Sequence, residues 1–292
     1  MSKKITILLI TVIGLLGFKG HKNAYQIFDQ NGKKMDYAKF VKKIAEADII
    51  LFGEQHNNPI NHWLQYEVTK DIYENYNDFL ALGAEMYEAD NQIIINEYLG
   101  GHINYKTLKA EAKVWPNDET DYLPLLDFAV RNQLTFVATN IPRRYAKMVS
   151  QQGFKAFNHL SDEAKKYIAP LPLDYDDKLP GYVEIKKMMG GGHGHGGISG
   201  DNLARAQAAK DATMAHFIMK NWLKGRTFIH YNGAYHSNNY EGILWYLKKA
   251  NPDLKVATIN CVEQKEIKEL LDENKSTAHY IIATPESMTK TH

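Results

Sequence analysis

The chain has 292 residues, of which 44% are hydrophobic and 24% charged, and its formal charge is +1. That is enough apolar material for one large folded domain, and it excludes a disordered, collagenous or coiled-coil chain. The single cysteine, Cys261, excludes an internal disulfide framework and a Cys-rich zinc or iron–sulfur centre, and the near-zero charge offers nucleic acid no basic field.

From the N-terminus, Lys3 and Lys4 precede an apolar run over residues 5–18 that is too short to span a bilayer comfortably. A basic start followed by a short apolar stretch is the pattern of an export signal, expected over residues 1–24. Its removal takes four lysines and moves the formal charge from +1 to −3. No cysteine closely follows the run, so no lipoprotein anchor is expected. Residues 25–292 are read as a single exported domain, periplasmic or associated with the cell envelope.

Next come short apolar runs separated by longer helical stretches. The predicted strands are 48–53, 79–85, 134–140, 227–232, 255–260 and 279–284, and the predicted helices are 37–47, 61–76, 123–132, 203–223 and 239–250. Near-continuous apolar strands alternating with helices predict an α/β fold, a mostly parallel sheet flanked by helices on both faces. Right-handed crossovers then bring the strand carboxyl ends to one edge. Residues 145–200 carry helical signals but no strand, and Pro170, Pro172 and Pro180 interrupt them. This interval is expected to be a smaller helical subdomain or insert ending in the glycine-rich run 190–200.

The strand ends carry the chemistry. The first leads into Gly53-Glu54-Gln55-His56, the second into Gly83-Ala84-Glu85, the third into Asn140 and then Arg143-Arg144, and the fourth into Asn232-Gly233-Ala234-Tyr235-His236. In an open parallel sheet the ligand crevice lies at these ends. Glu54, His56, Glu85 and His236 are therefore predicted to converge. Two carboxylates and two imidazoles suit proton transfer or a divalent metal.

A second candidate is the insert. Met188-Met189 leads into His193 and His195 among glycines, while Tyr175 and Tyr182 lie upstream beside apolar residues. Such residues suit a soft metal or haem iron, for which tyrosine is an established axial ligand. The third is helix 203–223, where Arg205, Lys210 and Asp211 punctuate a run of alanines. Small residues favour close packing, and Arg205 is a candidate carboxylate-binding group.

Gly53-Glu54-Gln55-His56, Gly83-Ala84-Glu85-Met86, Leu179-Pro180-Gly181-Tyr182, the stretch from Arg205 to Ala215 and Asn232-Gly233-Ala234-Tyr235-His236 together resemble the ChaN-like haem-binding uptake proteins of the Tiki and erythromycin-esterase-like superfamily. The resemblance implies an exported bacterial protein of iron acquisition. It also implies haem held between two protomers by a tyrosine, and an outer-membrane haem receptor as partner. Tyr182 is the expected ligand, with Tyr175, His193, His195 and Arg205 assisting and Arg143 or Arg144 near the propionates. The alternative implied by the superfamily is a metal-dependent hydrolase, a peptidase or esterase. In it Glu54 or Glu85 is the general base, and His56 and His236 are metal ligands or proton shuttles.

Overall fold

The computed structural model describes residues 22–190 and 199–292; the expected signal up to residue 21 and the His193/His195 pair lie outside the described residues. Eight strands form one sheet: β1 (Gln26–Asp29), β2 (Lys34–Met35), β3 (Ile49–Glu54), β4 (Leu80–Glu88), β5 (Thr135–Asn140), β6 (Thr227–Gly233), β7 (Val256–Gln264) and β8 (Tyr280–Pro285). Their order is β2-β1-β8-β7-β3-β6-β4-β5. The six from β8 to β5 are mutually parallel, and β1 and β2 add an antiparallel edge.

Alternation along the strands feeds two cores. Ile50 and Phe52 of β3 face one way, with Leu82 of β4 and with Leu64, Val68 and Ile72 of the helix Pro59–Asn75. Ile49 and Leu51 face the other way, against Met214, Phe217 and Ile218 of the helix Gly200–Asn221 and Ile243 and Leu247 of the helix Ile243–Ala250. Side chains two apart share a face, so a strand covered on both sides must be apolar throughout. Burying each of these large side chains contributes about 1.5–3 kcal/mol.

The six predicted strands are present, each within a few residues of its expected bounds. Three regions differ from the expectation. The hairpin β1–β2 was not predicted, because strands of four and two residues carry too few apolar positions to show a period. After β4 the chain forms three short helices, Gln92–Leu99, Tyr105–Glu111 and Asp118–Asp121, whose eight, seven and four residues are too few for a clear helical pattern. The expected helix 239–250 begins only at Ile243, because Asn239, Tyr240 and Gly242 take positive φ angles of 55°, 61° and 55°. The insert is helical as expected, with helices Arg143–Gln152, Asp162–Lys165 and Pro180–Gly190 and no strand among its described residues. No helix among the described residues is long and apolar enough to cross a membrane.

Gly53 sits where β3 passes tightly between its neighbours. A Cβ there would lie 2.8 Å from the Ile259 carbonyl oxygen and 2.9 Å from the Ala234 Cα, both backbone atoms that cannot swing aside. Gly53→Ala is expected to destabilise the fold by about 1–3 kcal/mol, the usual cost of overpacking, and urea unfolding curves measure it.

Candidate functional site

The carboxyl ends of β3, β4, β5, β6 and β7 open into one cleft of about 1040 Å³. Glu54, His56, Glu85 and His236 all line it, so the predicted convergence is present. They form two hydrogen-bonded groups, one at β3 and one between β4 and β6.

In the β3 group, Glu54 is buried and accepts from Tyr122 Oη at 2.8 Å and from the Gln65 amide, while its Oε1 meets His56 Nδ1 at 2.9 Å. His62 lies behind it, Nδ1 3.5 Å from Glu54 and Nε2 3.3 Å from Asp121. Burial alone would raise the Glu54 pKa, but hydrogen bonds and charge from His56 and His62 bring it down to about 2. Burial would depress the two imidazoles, and the Glu54 carboxylate outweighs it and raises both. His56 is the open member, its side chain 37% exposed and its ring 4.8 Å from that of Trp115.

In the second group, Glu85 accepts from the Gly233 amide at 2.8 Å and meets His236 Nε2 at 3.1 Å. His236 Nδ1 lies 2.5 Å from Asp211, whose other oxygen accepts from Tyr182 Oη at 2.8 Å. Burial pushes His236 down, but two flanking carboxylates lift it to about 9. One imidazolium cannot neutralise two buried carboxylates. Glu85, held by His236, His56 and Lys210, is driven well below the usual range, whereas burial keeps Asp211 above it.

Gly242 fixes this arrangement. Its φ of +55° lets the chain turn against the His236 carbonyl, where a Cβ would fall 2.2 Å from the oxygen.

Of the residues expected to hold haem, Tyr175, Tyr182 and Arg205 do not line this cleft. Tyr182 is buried with its hydroxyl turned inward to Asp211, which together with burial raises its pKa far above the tyrosine norm, so it presents no phenolate to the cleft. Tyr175 packs against Tyr182 and Phe154, its hydroxyl buried without a partner. Arg205 bonds Asn202 at 2.9 Å and does not line the cleft. Arg144 pairs with Asp90 at 2.5 Å, leaving Arg143 on the cleft wall.

Among the described residues no group of three or more His, Cys, Asp or Glu is arranged to hold a metal ion. His56 Nδ1 and both His236 nitrogens face carboxylates.

Sequence reading missed His62, Gln65, Asp121, Tyr122 and the role of Asp211. A charge at 211 on an otherwise alanine-rich, buried helix face was the available signal, because such a charge requires a partner. Tyr235, one residue before His236, was also passed over. It is 39% exposed, lines the cleft and donates to the Gly181 carbonyl at 2.9 Å.

An α/β sheet with a polar crevice across its carboxyl edge defines the class of protein. Within that class, residues 40–247 match the family described as haem-binding uptake, Tiki superfamily, ChaN, and the chain belongs to that family. No curated protein sequence is detectably similar to it. Among solved structures it is similar to ChaN of Campylobacter jejuni, described with cofacially bound haem, at a TM-score of 0.65 and 16% identity, covering 88% of this chain and 96% of that one. It is more distantly similar to a mutant of the erythromycin esterase EreC in its open conformation, at a TM-score of 0.47 and 12% identity, covering 90% and 83%. The type III effector HopBA1 follows at 0.44 and 12%, covering 84% and 91%.

The raised His236 pKa sets a pH dependence. Relative to its ordinary value of 6.5, its contribution to stability is complete below that pH and is lost as pH rises through about 9. Melting temperature is expected to fall across this window. His236→Gln should flatten that fall, and should cost about 3–5 kcal/mol by leaving buried carboxylates uncompensated; thermal melts of both proteins across pH 6–10 check it.

Proposed function

We propose that this chain is an exported haem-binding uptake protein that holds haem across the carboxyl-edge cleft, with the Tyr235 phenolate on the iron. The observation that carries the reading is that Tyr235 is the only tyrosine lining the cleft among the described residues. Its hydroxyl needs only to leave the Gly181 carbonyl to face a ligand, whereas Tyr182 would have to abandon a buried carboxylate. Membership of a haem-binding family supports the same reading.

The rest of the cleft suits the cargo. Trp115, Ile141, Ala146 and Val262 offer apolar surface for a porphyrin face, and the volume matches that of ligand pockets generally. A tyrosinate is a suitable axial donor to ferric iron. The cleft is open on its outer side, so one porphyrin face is left for a second copy to cover. A cofacial pair in a homodimer follows, and dimerisation then strengthens with haem by mass action. Export through residues 1–24 and exchange with an outer-membrane haem receptor complete the proposal.

A second reading rests on His56, an open imidazole oriented by a buried carboxylate and therefore equipped for general acid–base work. It makes the cleft hydrolytic without needing the metal that the sequence suggested.

Titrating the purified protein with hemin is expected to give a saturable Soret band and a shift to dimer on a sizing column. Tyr235→Phe should weaken binding at least about tenfold and remove the tyrosinate features. Tyr182→Phe should keep both. A Soret band lost in Tyr182→Phe and retained in Tyr235→Phe would overturn the assignment.

A further inference from the structure

We propose that Lys290 and Thr291 are positioning residues for His56: residues 286–292 form a strap that grips the loop carrying this imidazole and fixes its place in the cleft. After β8 ends at Pro285, the chain crosses the carboxyl edge of the sheet, past β7, to the residues that follow β3. The Glu286 amide donates to the Gln264 carbonyl at 3.1 Å at the start of this crossing.

The strap holds the loop at three points. The Thr291 amide donates to the Asn57 carbonyl at 3.0 Å. Lys290 pairs with Glu263 of β7, and the same Glu263 oxygen accepts from the Asn58 side-chain amide at 2.7 Å. The Thr291 hydroxyl donates at 2.9 Å to Asp121 Oδ2, which also accepts from the Asn117 amide at 2.6 Å and lies 3.3 Å from His62 Nε2. Asn117 and His62 are the two side chains on the His56 carbonyl, at 3.3 Å and 3.2 Å. Both groups that hold His56 by its backbone are therefore held in turn by the carboxylate that Thr291 caps. At the other end of the residue, the His56 ring meets Glu54 and lies 4.8 Å from the Trp115 ring.

This segment is not part of the core. None of residues 286–292 is buried, so polar contacts hold the strap and its loss leaves the packed sheet in place. It also lies beyond residues 40–247, the span that the family shares. The proposal rests on neither reading of the cleft, because it concerns only where the His56 ring sits.

NMR of the purified protein tests it through two signals. One is the ring-current shift that Trp115 imposes on the His56 ring protons. The other is hydrogen exchange at the Asn58 amide, which donates to the Gln55 carbonyl at 2.9 Å within the loop. Thr291→Val, which removes the hydroxyl and keeps the backbone amide, is expected to reduce the ring-current shift and to speed Asn58 exchange about tenfold. Thr291→Ser should restore both. Lys290→Gln, which removes the second grip without touching Asp121, should act in the same direction. Amides of β4 should exchange at their original rate in every variant. A His56 ring shift unchanged in Thr291→Val and Lys290→Gln overturns the proposal. So does a change as large in Thr291→Ser as in Thr291→Val, or one matched by faster exchange throughout β4, since that would be a general loss of stability.

Discussion

Two buried carboxylates at adjacent strand ends, Glu54 and Glu85, govern the architecture of the cleft. An ionised carboxylate removed from water costs several kcal/mol unless it is paired and hydrogen-bonded. Each is held accordingly. Glu54 draws His56, His62, Gln65 and Tyr122 around itself, and Glu85 draws His236 and the Gly233 amide. These partners come from the helix after β3, the short helices after β4 and the turn after β6. Satisfying two charges therefore ties together loops far apart in the chain. The glycines at 53 and 242 follow from the same demand, since only a bare Cα lets the strands and turns approach closely enough.

This arrangement divides the cleft by role. Its floor is a set of proton-sharing pairs whose donors and acceptors are mostly spent on one another. Its walls carry groups more open to a ligand: the Tyr235 phenol, held only by a backbone carbonyl, the His56 ring, Arg143 and Lys210. A cargo such as haem needs an iron donor, apolar surface and a cation for its carboxylates, and under the proposed reading these come from the walls. Of the paired groups, His56 is the one open to the cleft, and acid–base chemistry there would draw on it.

Much of this was legible in the sequence because topology did the placing. Strands buried on both faces are apolar throughout, so β3 to β8 stood out, and parallel order puts residues that follow each strand on one edge. Glu54, His56, Glu85 and His236 could be named on that ground. Their partners could not. Tyr122 reaches Glu54 across 68 positions and Asp211 reaches His236 across 25, and no local pattern encodes such pairings. Tyr182 shows the limit most clearly. Its motif marked it, but only the packing of the helix Pro180–Gly190 against Gly200–Asn221 reveals that its hydroxyl points at a carboxylate inside.

The position of the iron is the most direct test of the whole account. Anomalous difference maps at the iron edge, from crystals of the haem-loaded protein, are expected to place iron at the cleft within bonding distance of the Tyr235 oxygen, with Tyr182 still bonded to Asp211. Iron seated on the insert beside Tyr175 and Tyr182, away from the strand ends, would contradict it.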